Sequence, residues 1–142
     1  MMDRSAIEKM IPHRDPFLWI DGVEDVDAGK SCVAWMRVHA DHAVFRGHFP
    51  DRPVLPGVLM IEAMAQSAAV MMGAGAIEEG SGTALLAAVN HFRFYRPVNP
   101  GTRLRIEVVT LTRVGSMTVI EGNISCDGEK IAYGELSIVS GR

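Results

Sequence analysis

The sequence predicts an α+β domain in which a curved antiparallel sheet wraps one enclosed helix, and three features carry that expectation. Residues Gly57 to about Glu79 are dominated by Ala, Met, Leu and Val on nearly every helical face, so a helix there must be surrounded by protein or lipid. From Thr83 onward, four β-rich runs are separated by turn chemistry. Two shorter runs of the same kind precede the helix.

Phe17 to Asp27 and Lys30 to Val38 are rich in Val, Ile, Phe and Trp, and Ala28-Gly29 breaks them in the manner of a hairpin. Between Asp41 and Pro56 the periodicity disappears. Pro50, Pro53 and Pro56 recur at every third position there, which excludes both a regular helix and a central strand and leaves a structured loop. Pro56 suits the first turn of the helix that follows. Glu62 and Gln66 interrupt that helix too early for a membrane span. The later strands are expected at Thr83 to Arg96, Arg103 to Arg113, Met117 to Cys126 and Glu129 to Val139. Asn99-Pro100-Gly101, Val114-Gly115-Ser116 and Asp127-Gly128 stand between them, and the last is a strong two-residue hairpin signal.

A chain of 142 residues with 48% hydrophobic and 22% charged residues fits one domain spanning 1–142. Fourteen basic against seventeen acidic residues give a net charge of -3, which argues against a nucleic-acid binder held by phosphate contacts. Cys32 and Cys126 form no CxxC pair, so neither a disulfide framework nor a zinc site is implied and both read as buried free thiols. The N-terminal MMDRSAIEKM contains Asp3, Arg4, Glu8 and Lys9 with no continuous apolar stretch behind them, unlike a signal peptide or membrane span. A cytoplasmic protein is expected.

Three positions can carry chemistry. Glu62 is the only charged residue between Arg52 and Glu78. A carboxyl group within an apolar helix is costly unless paired or neutral, and the neutral form is what a general acid needs. With Gln66 one turn further on, the alternative is a narrow solvated stripe. His48 lies in Gly47-His48-Phe49-Pro50 on the loop feeding the helix; histidine suits proton removal near neutral pH, or it is an ordinary surface residue. Leu55 supplies no cap for the helix beginning at Pro56-Gly57, so the first amides, with Gly57 permitting close approach, can hold a carbonyl oxygen or simply water. His39 and His42 flank Asp41 with no second cluster to complete a metal site, and read as loop residues. No phosphate-binding glycine loop or nucleophile motif is present. Met60, Met64, Met71 and Met72 suit an adaptable core, and equally a pocket for a flexible acyl chain.

Three segments together resemble the FabZ-type 3-hydroxyacyl-[acyl-carrier-protein] dehydratases: IPHRDPFLWIDGV at 11–23, GHFPDRPVLPGVLMIEAMAQ at 47–66 and FRFYRPVNPGTRLRIEV at 92–108. The resemblance covers almost the whole chain, and its middle segment is highly specific. It implies a hot-dog fold, a catalytic base at His48, a catalytic acid at Glu62, and substrate-binding positions at Gly57 and Phe49. No cofactor or metal is implied. The related FabA-type enzymes, which also isomerise a double bond, have aspartate at the position of Glu62, so dehydration alone is expected. The implied partners are an acyl carrier protein and a second copy of the chain in a homodimer with shared active sites, usually within a trimer of dimers. Asp15, Trp19 and Gly22 depart from the family's usual tyrosine, leucine and arginine, which bears on chain length and pathway. A hot-dog thioesterase, a polyketide-like dehydratase and a non-catalytic acyl-binding subunit are the alternatives. Arg93, Arg96, Arg103 and Arg105, near the Pro97–Gly101 turn, are a carrier-docking face or an ordinary solvated strand surface.

Overall fold

The computed structural model describes residues 1–47, 51–73 and 83–141. Its elements run α1 (Arg4–Met10), β1 (Gly22–Asp27), β2 (Ser31–Arg37), α2 (Gly57–Gly73), β3 (Thr83–Phe94), β4 (Arg103–Val114), β5 (Met117–Cys126) and β6 (Glu129–Gly141). The strands form one six-stranded sheet in the order β1-β2-β4-β5-β6-β3, and every neighbouring pair is antiparallel.

The inner face follows from strict alternation. Leu104, Ile106 and Val108 of β4 are buried between outward-facing Arg103, Arg105 and Glu107, and Ala132, Leu136 and Ile138 of β6 continue the same apolar surface. Along α2, Met60, Ala63, Met64 and Ala68 to Met71 are buried. The helix is enclosed as its composition requires. It approaches the sheet closely at Gly122, where a side-chain carbon would overlap Met64. Gly122 pairs directly with Gly134, and the ring of Phe92 occupies the space a side chain would need there.

The turn chemistry behaves as read. Asp127 and Gly128 have φ of 51° and 81°, as the paired positive torsions of a type I′ hairpin demand. The strands after the helix match the expected positions to within two residues, β3 ending two earlier at Phe94 and β6 two later at Gly141. Helix α2 starts at Gly57 and is described to Gly73; the expected continuation toward Glu79 lies outside the described residues. The Asp41–Pro56 loop contains a short 3-10 turn, Ala43–Arg46, capped by the His42 side chain.

One element was not read from the sequence, and one expectation needs correction. The N-terminal segment forms α1, with Asp3 as N-cap accepting the Ala6 N–H at 2.9 Å and Ile7 fully buried. The run from Phe17 to Asp27 is strand only from Gly22. Leu18, Trp19 and Ile20 are core residues, but side chains take the backbone bonds that a neighbouring strand would otherwise supply. Gln66 binds the Phe17 carbonyl and the Trp19 N–H, and Arg4 Nη2 donates to the Leu18 carbonyl at 2.9 Å.

Candidate active site

Glu62 sits in the second turn of α2, on a face half open to solvent. Gln66 follows one turn later, which puts the two side chains within reach. The Gln66 carboxamide is fully buried, and its orientation is fixed by backbone partners. Its Oε1 accepts the Trp19 N–H at 2.8 Å, so its Nε2 must be the donor, giving one hydrogen to the Phe17 carbonyl at 2.8 Å and the other to Glu62 Oε2 at 2.9 Å. Both donors of the buried amide are thereby used, and its oxygen is engaged. The solvated stripe considered for Glu62 and Gln66 is not what forms: Gln66 is structural and enclosed, and Glu62 alone reaches the surface.

A third side chain meets the same oxygen. His13 Nε2 lies 3.3 Å from Glu62 Oε2, on the loop between α1 and β1. The sequence reading passed over His13, although it stands within the 11–23 segment; the signal missed was a histidine in a loop whose apolar neighbours fold under the helix face carrying Glu62. That loop is fastened by Arg14, whose guanidinium donates to the carbonyls of Ile11, His13 and Glu8 at 2.9, 2.7 and 2.9 Å.

Gly57 opens α2. A side-chain carbon there would come within 2.9 Å of the Phe94 ring, and Phe94 in turn packs on Phe92 with centroids 5.1 Å apart. A side chain at Gly57 would therefore need the half-exposed Phe94 ring to shift. His48 and Phe49 lie outside the described residues. The chain on either side is anchored by buried Phe45 and Leu55, and the Leu55 N–H donates to the Val98 carbonyl at 2.8 Å.

The remaining candidates have structural roles. His42 accepts the Val44 N–H at 3.0 Å through Nδ1, and its ring packs on Trp19 with centroids 4.4 Å apart. No cluster of three or more metal-ligating side chains occurs among the described residues. Burial pushes the Cys32 thiol up to about 12, aided by the charge of Asp25, so at neutral pH it is not a nucleophile; Cys126 is half-buried rather than enclosed. The four arginines do not assemble into one basic face. Arg93 is on β3 and Arg103 and Arg105 are on β4, with β5 and β6 between those strands. Arg96, Arg103 and Arg105 are each bridged to a carboxylate, Glu129, Glu24 and Glu107 respectively, and Arg103 also lies 4.2 Å above the Trp35 ring.

Comparison with known proteins agrees with this geometry. Residues 11–135 match the family described as FabA-like domain. The chain is 39% identical to the 3-hydroxyacyl-[acyl-carrier-protein] dehydratase FabZ of Geobacillus thermodenitrificans, with 99% of this chain and 97% of that protein covered. It is 39% identical to the Bacillus subtilis FabZ over 99% of both, and 42% identical to that of Bacillus cereus over 91% and 93%. Among solved structures, the dehydratase heterocomplex ApeI:P from Xenorhabdus doucetiae superposes with a TM-score of 0.84 at 24% identity, covering 96% of this chain and 91% of that one, which supports the hot-dog fold. With a full-length match to FabZ sequences and a helix wrapped by a six-stranded antiparallel sheet, the chain belongs to the FabA-like family, as a FabZ-type member with the hot-dog fold.

Proposed function

We propose that this protein removes water from 3-hydroxyacyl thioesters carried on acyl carrier protein, giving trans-2-enoyl thioesters in fatty acid biosynthesis, with Glu62 as general acid and His48 as general base. The observation that carries the role of Glu62 is its asymmetric anchoring. Gln66 and His13 both address Oε2, while Oε1 has no hydrogen-bond partner among the described residues and is left to meet a ligand. His48 removes the C2 proton, and the C2–H electron pair becomes the C2=C3 double bond. The C3–O bond breaks, and its oxygen leaves as water with the proton from Glu62. Transfer of a proton from His48 back to Glu62 through solvent resets the site. The amide of Gly57, at the N-terminus of α2, faces the thioester carbonyl and stabilises the charge that develops there. Phe49 is a further residue proposed to bind the substrate.

The working unit is a homodimer in which His48 and Glu62 of one site come from different subunits, with a trimer of dimers as the larger assembly. Support comes from β3, an edge strand of twelve residues bonded only to β6. It exposes Leu85, Leu86, Val89 and Phe94. A long apolar edge of this kind is ready to pair with a second strand. The proteins whose sequences match this one are named for an acyl-carrier-protein substrate, and the same carrier is the partner here. A single domain over residues 1–142 carries the activity in the cytoplasm; among the described residues no helix is long and apolar enough to cross a membrane.

The test is turnover of 3-hydroxyacyl-carrier thioesters by the wild type and by His48→Ala and Glu62→Gln. Each substitution removes a proton-transfer group, so dehydration falls by roughly a hundredfold or more with the fold intact. Near wild-type turnover by a folded Glu62→Gln protein removes Glu62 from the acid role.

A further inference from the structure

We infer that His13 is a positioning residue for Glu62, fixing one carboxyl oxygen so that the other is presented to the substrate; this rests on the acid role proposed for Glu62. A glutamate side chain on a half-exposed helix face has several rotamers, and a single hydrogen bond from Gln66 restrains one oxygen without fixing the plane of the carboxyl group. A second contact to that same oxygen from another element does. His13 supplies it from the α1–β1 loop, with Nε2 at 3.3 Å from Oε2, a contact long enough to tighten when substrate closes the site.

The surroundings of the ring select which nitrogen carries the proton. Nδ1 is buried and has no hydrogen-bond partner among the described residues. An N–H placed there would be unmet, whereas a bare lone pair is the less costly group to leave unpaired. The proton therefore sits on Nε2, the ring nitrogen 3.3 Å from Glu62 Oε2. The ring is held for this task from several sides. It lies nearly parallel to Phe17, at 17° with centroids 6.3 Å apart, and Arg14 donates to the His13 carbonyl at 2.7 Å. The Phe17 carbonyl is bonded to Gln66, so the loop that carries His13 is tied to the amide that donates to Oε2. Ile11, two residues earlier, is buried in the core.

The test compares His13→Ala with His13→Gln, whose Nε2 donor can replace that of the imidazole, using a 3-hydroxybutyryl pantetheine thioester and thermal melts to confirm folding. His13→Ala lowers kcat by about tenfold to a hundredfold, the scale of a misplaced catalytic group, with KM changed less than about twofold. His13→Gln recovers most of that loss. In a Glu62→Gln background His13→Ala adds little, because the two residues act as one unit. Unchanged kcat in His13→Ala, equal losses in the Ala and Gln variants, or fully additive losses would each overturn the role. If the wild type dehydrates no thioester, the proposed function fails, and 15N spectra of the imidazole decide His13 separately. An Nε2-protonated ring whose signals move on Glu62→Gln supports the contact; an Nδ1-protonated ring, or signals indifferent to Glu62, refutes it.

Discussion

At the scale of residues, Gln66 joins the two halves of the site, bonding the backbone at Phe17 and Trp19 as well as the carboxyl group of Glu62. Gln66→Leu keeps the volume but strands the Trp19 N–H and the Phe17 carbonyl. Two unpaired backbone groups cost together about 2–4 kcal/mol, which lowers Tm by roughly 5–10 °C for a domain of this size. Thermal melts check this, and a shift below about 2 °C would mean that water replaces the amide without penalty. The place of Glu62 on the enclosed helix was legible in the sequence, where it is the single charge between Arg52 and Glu78. Gln66 was misread for a physical reason: a polar residue one turn from a glutamate continues a solvated stripe unless an unpaired backbone segment from elsewhere needs its amide. That need is tertiary, and no periodicity in the helix encodes it. His13 was missed on similar grounds, since only folding of the α1–β1 loop brings it to α2.

At the scale of elements, the strands after α2 were readable because alternation fixes their faces and Asp127-Gly128 fixes a register. The reading failed where apolar composition mimicked a strand. Leu18 to Ile20 is as buried as a strand, but the segment borrows side-chain partners, and composition cannot distinguish the two. The helix start offers a separable test of packing against substrate binding. Gly57→Ala places a methyl group about 2.9 Å from the Phe94 ring, an overlap that costs about 1–3 kcal/mol. Gly57→Ala combined with Phe94→Leu should regain stability in a melt. Failure to regain it would show that Phe94 is not what requires a glycine. On β3, Leu86→Lys with Val89→Lys places two charges on the exposed apolar edge. Sedimentation should then report monomers in place of dimers, and an unchanged dimer would place the interface elsewhere.

At the scale of the whole molecule, the proposed shared site would make activity a property of two chains. His48→Ala and Glu62→Gln, each inactive alone, should regain activity when unfolded together and refolded as mixed dimers, because one of the two sites in each mixed dimer receives both intact groups. Verified mixed dimers as inactive as either parent would show that both groups come from one chain. Carrier recognition at this scale was the least legible feature: neighbouring arginines in sequence are divided between β3 and β4 and are mostly paired with carboxylates, so their sequence proximity overstated a basic patch. The central claim is dehydration with the thioester left intact, and product analysis tests it most directly. Purified protein is incubated with a series of 3-hydroxyacyl-carrier thioesters while enoyl absorbance, carrier mass and free thiol are followed together. The account predicts conjugated enoyl absorbance and loss of one water from the acyl-carrier with no thiol released. Stoichiometric free thiol without enoyl product would identify a hydrolase, and absence of any reaction across the series would identify a binding subunit; either result contradicts the account.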